Sequence, residues 1–304
     1  MTGSVPSWRP TLRLRAFAKI NAGLRILGKR PDGYHEIRTI YQTIALADRL
    51  EISLGRGENQ IAVHCDNPAV PRGRANLVYR ACAAWRRARR WRGRIRVSLE
   101  KVIPFGSGLG GASSDAATVL LGLERLTGDR LDLGARHKLA ATLGSDVPLF
   151  LWGGCVLGCG RGEEVYPLCD LPSRACLVVF PGFRVSTAEA YREVGLRLTG
   201  RSPAIYAKGF GAWPQFSLMS WGPADNDFEQ VVFARWPELA DLKRRLIRAG
   251  AEVASLTGSG SALYALYSSP RQLALASKLI PKGWLGFRTR TLSRARYQRG
   301  IFVD

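Results

Sequence analysis

The sequence holds no apolar run near the roughly 18 residues that a membrane-crossing helix needs, which leaves no candidate span. Its first fourteen residues carry Pro6, Trp8, Pro10 and Arg13 where a secretory signal would have an apolar core, so a soluble, cytoplasmic protein is expected. Cysteine is sparse. Cys65, Cys82, Cys155, Cys159, Cys169 and Cys176 are dispersed, and Cys155 and Cys159 have no second Cys or His pair beside them, so reduced thiols are expected and a zinc site is not. Acid is scarce too: 24 Asp and Glu stand against 45 Lys and Arg, a formal charge of +21. That balance favours anionic partners, although net charge speaks to encounter and solubility and not to fold. No internal repeat occurs, which excludes a solenoid.

What is present is an ordinary globular composition, 46% hydrophobic and 23% charged, which excludes wholesale disorder. At 304 residues the chain suits two domains with a cleft between them, and the break is expected near residues 158–162, giving 1–160 and 161–304. Leu12, Leu14, Ala16, Ala18, Ile20, Ala22, Leu24 and Ile26 alternate with mostly polar residues, predicting a long half-buried strand. Lys19 and Asn21 then share its non-core face. Lys29 to Gly33 reads as a tight turn, followed by Tyr34 and His35. Further strands are expected around Leu50 to Leu54 and Ile61 to His64, and through Ile95, Val97 and Leu99. Leu77, Ala81, Cys82 and Trp85 recur at helical spacing, predicting a helix whose outer face is arginine from the run Arg86 to Arg96. Ser113 is expected to cap a helix through about Leu126 with Gly128 beyond its end, and a second helix is expected from about Ala135 to Leu143. The stretch from Ser202 to Pro223 reads as loop.

Between a predicted strand and a predicted helix stands Gly106-Ser107-Gly108-Leu109-Gly110-Gly111-Ala112-Ser113-Ser114. Glycines let backbone N–H groups approach a phosphate, and the helix offers further free amides and a positive dipole end. The run also satisfies the dinucleotide spacing at Gly106, Gly108 and Gly111. Against that reading, the preceding strand alternates, Pro104 interrupts the join, and no ribose-binding acid follows on a second strand. A Walker loop needs Lys and Ser or Thr after its last glycine, where Ala112 stands here, and no His-Arg-Asp or Asp-Phe-Gly triplet of a protein kinase occurs.

Pro104 to Ala117 resembles the phosphate loop of the GHMP kinases. Ala18 to Asn21, Arg30 to Glu36 and Leu143 to Pro148 narrow the resemblance to the diphosphocytidyl-methylerythritol kinases, with Asp32-Gly33-Tyr34-His35 particular to them. Asn76 to Val78, Ser186 to Tyr191, Asn226 to Glu229 and Leu256 to Ser261 also match, so the resemblance covers nearly the whole chain in order. Ser107 and Ala112 depart from the family's usual Gly or Ala and Gly.

The resemblance implies an α+β fold of two domains: an N-terminal domain like the second domain of ribosomal protein S5 and a C-terminal GHMP domain, with substrates in the cleft. It implies phosphoryl transfer from ATP, with Mg2+, to the 2-hydroxyl of 4-diphosphocytidyl-2-C-methyl-D-erythritol. Asp146 matches the family's catalytic base and Lys19 the lysine that holds that carboxylate ionised and contacts the transferring phosphate. Pro104, Phe105, Gly106, Ser107, Gly108, Leu109, Gly110, Gly111, Ala112, Ser113, Ser114 and Asn76 match the ATP site, and Ser114 also a magnesium contact. Asn21, Tyr34, His35, Tyr191, Thr257, Gly258 and Ser259 match the acceptor site, where two tyrosine rings sandwich the cytosine and His35 reads its polar edge. A monomer or homodimer is expected, with neither membrane nor nucleic acid as partner. Two alternatives stay open: another GHMP small-molecule kinase, and a nucleic-acid-binding protein using the S5-like fold and the arginine cluster. The second accounts for the charge and leaves Lys19, Asp146 and both glycine loops without a role.

Overall fold

The structure is a computed structural model that describes residues 11–198 and 225–303. The expected loop from Ser202 to Pro223 lies outside the described residues. Two β-sheets with helices packed on them form the described chain. The first sheet runs β11 (Phe302–Val303), β1 (Leu12–Lys29), β2 (His35–Gly55), β4 (Arg94–Glu100), β3 (Gln60–Cys65), antiparallel except for the parallel β3–β4 pair. β2 forks. Its second half pairs with β4, and its first half, from Thr39 to Gln42, pairs with β5 (Cys155–Cys159), which pairs onward with β6 (Glu164–Pro167). The first sheet therefore carries past residue 160, and β11 returns to it from the far end of the chain.

The second sheet runs β10 (Leu285–Arg290), β7 (Ala175–Phe180), β9 (Leu263–Tyr267), β8 (Val253–Leu256), all antiparallel. Both of its faces are buried, and period-two geometry sorts them. Leu177, Val179, Leu263 and Ala265 pack in the core that includes residues of α4 (Thr187–Leu198), α5 (Glu229–Arg235), α6 (Pro237–Arg248) and α7 (Pro270–Ala276). Cys176, Val178, Tyr264 and Leu266 pack on Ala18, Ile20 and Ile44 in the middle of β1 and β2. The second sheet thus lies across the centre of the first sheet's long strands, and β1 is buried on both faces there instead of half-buried as its alternation predicts.

On the first sheet lie α1 (Leu77–Ala88), α2 (Gly111–Thr127), α3 (Leu133–Leu143) and α8 (Arg294–Ile301). α1 buries Val78, Ala81, Cys82 and Trp85, as the helical spacing predicts. The arginine run does not form one helix face: Arg86 and Arg87 close the helix, Arg90 sits in a left-handed turn, and Arg94 and Arg96 belong to β4. α2 starts three residues earlier than a Ser113 cap would allow. Gly110, at φ 73°, takes the cap position, a conformation that residues with a Cβ adopt at a cost. α3 is capped by Asp132, whose side chain accepts from the Ala135 amide. Tyr297 of α8 donates its hydroxyl to the Phe150 carbonyl at 2.6 Å and tilts against Phe17 of β1 at 5.6 Å, tying the last helix under the first sheet.

Candidate active site

A cleft of about 840 Å³ opens where the centre of β1, the start of β2, the glycine loop before α2, the first turn of α4 and the loop after β8 converge. Among its described lining residues, Lys19, Lys29, Lys101, Arg161 and Arg192 are basic and Asp146 alone is acidic. Such a site selects polyanionic ligands over neutral ones.

The glycine loop forms one wall. Gly106, Gly108 and Gly110 have φ of 72°, 84° and 73°, all in the left-handed region. Gly108 is also a contact glycine, since a Cβ there would stand 2.1 Å from the Thr257 carbonyl oxygen. This loop and the loop at Thr257 to Ser261 are packed backbone to backbone, and the Ala262 amide donates to the Ser107 carbonyl at 3.1 Å. The Ser107 hydroxyl donates to the Pro104 carbonyl at 2.7 Å, so the departure from Gly or Ala adds a hydrogen bond within the loop.

Lys19 is 3% exposed, held by its own amide donating to the Leu109 carbonyl and by its ammonium donating to Asn21 Oδ1 at 2.7 Å. Burial pulls its pKa below the ordinary lysine value, and Asp146 offsets part of that fall. Asp146 Oδ2 stands 3.6 Å from Lys19 Nζ, beyond ordinary hydrogen-bond length. The Tyr41 hydroxyl donates to the other carboxylate oxygen, Oδ1, at 3.1 Å, and Lys19 Nζ lies 5.5 Å over the same tyrosine ring. Asn21 is a hub rather than a free recognition group: Oδ1 accepts from Lys19, from Thr257 Oγ1 at 3.2 Å and from the Gly258 amide at 2.8 Å, and Nδ2 donates to Thr39. Lys19 and Asn21 do share one face of β1, but the two glycine loops bury it.

Below the start of α2 lies a buried ionic group that the sequence reading did not find. Lys101 donates to both Asp48 and Asp115, the latter at 2.7 Å. Asp48 Oδ1 also accepts the amides of Val102 and Ile103, at 2.6 and 2.8 Å, fixing the segment that enters the glycine loop. Asp115 Oδ1 is buried without a partner. Burial first, then the neighbouring Asp48, push the Asp115 carboxyl up to about 8 against the pull of Lys101. For Lys101, burial lowers the pKa, while Asp115 and Asp48 together raise it by more.

At the other end of the cleft, His35 stacks on Tyr191 with ring centres 4.7 Å apart and planes 14° apart, and Tyr191 meets Phe228 edge-on. Tyr34 is 55% exposed, with one face covered by the Arg161 guanidinium at 4.8 Å. The two tyrosines expected to sandwich a base therefore have other stacking partners here, His35 and Arg161. Burial and the nearby Lys29 hold the His35 pKa below its ordinary value.

All the expected site residues line this cleft except Leu109, Ser114, Asn76 and Thr257. Leu109 is fully buried and acts through its carbonyl on the Lys19 amide. Ser114 is also fully buried, and its hydroxyl donates to the Phe17 carbonyl at 2.7 Å. The Asn76 side chain caps α1 by accepting from the Val78 amide and donates to the Pro71 carbonyl. Thr257 Oγ1 sits between Asn21 and the Gly108 carbonyl, and Ser259 is hydrogen-bonded to Thr187 at 2.8 Å. Tyr41, Lys101 and Arg161 were not anticipated. Tyr41 had a signal: it stands an even number of residues after His35 in one strand, on the same face. Lys101 and Arg161 had none at their positions.

Residues 76–154 match the family described as GHMP kinases N terminal domain, and residues 210–283 match GHMP kinases C terminal. The fold and its cleft are those of a GHMP kinase. A mevalonate kinase from L. major, solved in complex with R-mevalonate, has the same fold at 17% identity, with a TM-score of 0.68 over 96% of this chain and 99% of that one. The 4-diphosphocytidyl-2-C-methyl-D-erythritol kinase of Solibacter usitatus is 46% identical over 94% of this chain and 90% of its own length, and that of Geobacter sulfurreducens 37% over 92% and 99%. A crystal structure of 4-(cytidine 5'-diphospho)-2C-methyl-D-erythritol kinase matches with a TM-score of 0.73 at 35% identity, over 92% of this chain and 99% of that one. The chain belongs to the 4-diphosphocytidyl-2-C-methyl-D-erythritol kinase family. Among the described residues no helix is long and apolar enough to cross a membrane.

Proposed function

We propose that this kinase moves the γ-phosphoryl group of ATP to the 2-hydroxyl of 4-diphosphocytidyl-2-C-methyl-D-erythritol, with Asp146 as the proton acceptor. The observation that carries the reading is the meeting of Lys19, Asp146 and the Gly108–Gly110 backbone at one point of a cleft whose other charged walls are basic. Phosphoryl transfer needs positioned phosphates, cations against developing charge and an acceptor for the hydroxyl proton. The loop amides and the N-terminus of α2 cradle the phosphates. The acceptor oxygen bonds to the γ-phosphorus as the bond to the β-phosphate oxygen breaks, and its proton passes to Asp146 Oδ2. Lys19, buried and hydrogen-bonded in place, faces the charge that builds on the transferring group.

The acceptor end binds the cytosine near Tyr34, His35 and Tyr191. A neutral imidazole has one donor and one acceptor, which suits an edge that carries both, as cytosine's does. Mg2+ enters this reading as part of the nucleotide substrate: among the described residues no cluster of three or more His, Cys, Asp or Glu stands ready to hold an ion, and magnesium in kinases is carried largely by phosphate oxygens and water. We also propose the division into units 1–160 and 161–304, with the β5–β6 hairpin lying across it.

The test is Asp146→Asn, which keeps shape and removes basicity. Turnover should fall by roughly 10² to 10⁴ fold while ATP affinity holds, the usual worth of a general base. Near-normal turnover in the folded variant would remove Asp146 from the role. Competition by CDP against the natural acceptor, compared with UDP, separates this acceptor from another alcohol.

A further inference from the structure

We propose that Tyr41 is a positioning residue of the phosphoryl transfer, orienting Asp146 through its hydroxyl and Lys19 through its ring. The proposal rests on the reading of Asp146 as proton acceptor and adds the group that sets its geometry.

The tyrosine sits in β2, is 1% exposed, and its hydroxyl donates to Asp146 Oδ1 at 3.1 Å. Burial, and then the adjacent Asp146, push its ionisation far above the ordinary phenol range, so the oxygen keeps its proton. The carboxylate can only accept, so the hydroxyl must donate to it. On the ring face, Lys19 Nζ stands 5.5 Å from the centroid, within the range in which a cation is attracted to an aromatic face. One side chain therefore contacts both groups that the reaction uses.

Its seat is shaped for the whole side chain, hydroxyl included. A Cβ on Gly162 would stand 2.4 Å from the Tyr41 hydroxyl oxygen, and one on Gly158 would stand 2.4 Å from the ring. Gly162 has φ of 105°, where other residues are strained, so both the conformation and the space depend on glycine.

The arrangement answers a difficulty of the site. A lysine gripping both carboxylate oxygens would fix Asp146 but compete with the incoming proton. Here the lysine gives its short hydrogen bond to Asn21 at 2.7 Å and stands 3.6 Å from Asp146. The neutral phenol holds Oδ1 in place and leaves Oδ2 toward the lysine and the cleft.

Tyr41→Phe tests this, because it keeps ring, volume and cation–π contact and removes only the donor. The expected result is a kcat about tenfold lower, the order of one lost orienting hydrogen bond, with KM for ATP and for the acceptor within twofold of normal. Denaturant unfolding of the variant verifies that the fold is intact. The same change is then made in the Asp146→Asn background, where it should lower the residual rate no further, since groups acting as one unit are not additive. An unchanged kcat in Tyr41→Phe overturns the proposal and leaves the base assignment standing. A further tenfold loss in the Asp146→Asn background also overturns it, because Tyr41 would then act by another route. A fully active Asp146→Asn enzyme is the separate failure of the base assignment.

Discussion

Replacing Lys101 with methionine removes the cation that two buried carboxylates, Asp48 and Asp115, share, and the loss should be large. Methionine keeps much of the side chain's length and fills the volume. Asp48 would keep its two backbone donors, Val102 and Ile103, but Asp115, whose Oδ1 already lacks a partner, would lose the hydrogen bond that Lys101 gives Oδ2. Breaking a buried ion pair from one side costs roughly 3–5 kcal/mol, because the remaining charge is left in a poor solvent. Adding Asp48→Asn to Lys101→Met should restore a large part of it, about 2 kcal/mol, by removing the carboxylate charge left without its cation, since Asp115 already holds a proton at neutral pH. Equilibrium urea unfolding of the wild type, both single variants and the double variant gives the cycle. A loss below about 1 kcal/mol for Lys101→Met, or additivity within about 0.5 kcal/mol, would refute the reasoning. The same group sets a pH dependence. With its carboxyl pushed up to about 8 in the folded chain against roughly 4 when unfolded, Asp115 holds a proton between those values that the unfolded chain has released. Its contribution to stability is fully present below about pH 4 and is lost as pH rises toward 8, at up to about 1.4 kcal/mol per unit. Asp115→Asn should remove that slope, so wild-type and variant stabilities that run parallel from pH 5 to 8 would contradict the placement of the proton.

At Lys19, arginine keeps the charge but its planar fork cannot occupy a buried seat shaped for an ammonium beside Asn21, so Lys19→Arg should be impaired nearly as badly as Lys19→Ala, and full activity would mean that only a diffuse positive field is needed. Gly108→Val should weaken ATP binding strongly, because the added Cβ meets the Thr257 carbonyl oxygen and pries the two glycine loops apart; isothermal titration with a non-hydrolysable ATP analogue measures it, and unchanged affinity would place the phosphates elsewhere. In competition assays with CDP and UDP, His35→Ala should mainly shrink the preference for cytosine, worth about 1 to 3 kcal/mol where a buried edge is left unpaired, whereas Tyr34→Ala should weaken both competitors alike. Retained cytosine preference in His35→Ala would make backbone groups the readers.

The alternation from Leu12 to Ile26 made β1 legible, because a period of two is written in the residues themselves. That its centre is buried on both sides was not legible: the covering residues, Val178 and Tyr264, lie more than 150 positions away, and nothing local to β1 marks them. The start of α2 was misplaced for a local reason, since Gly110 in the left-handed region outcompetes a serine three residues on as the cap. Lys19, Asp146 and the loop were legible together because the resemblance linked segments that periodicity alone left separate. The hydrogen bonds of Ser114 and Asn76 to backbone were not legible, because they depend on the Phe17 carbonyl and the first turn of α1. Tyr34 and Tyr191 were brought to one cleft as expected, but the stacking of His35 on one and Arg161 on the other arises from tertiary packing.

The return of β11 to the edge of β1 bears on how the chain is made. Phe302 pairs with Leu14 and Val303 with Arg13, so β1 acquires its outer neighbour from residues made nearly 290 positions later. During synthesis the first sheet would stand with that edge open, and an open edge invites pairing with other chains. Arg13 and Arg15, both exposed on it, supply the charge that discourages such pairing in the interval. With α8 also reaching back beneath β1 through Tyr297, the first sheet is completed by residues that follow the second in the chain. An N-terminal unit that begins to fold before the rest has been translated therefore takes its outer edge strand and the helix beneath it only afterwards.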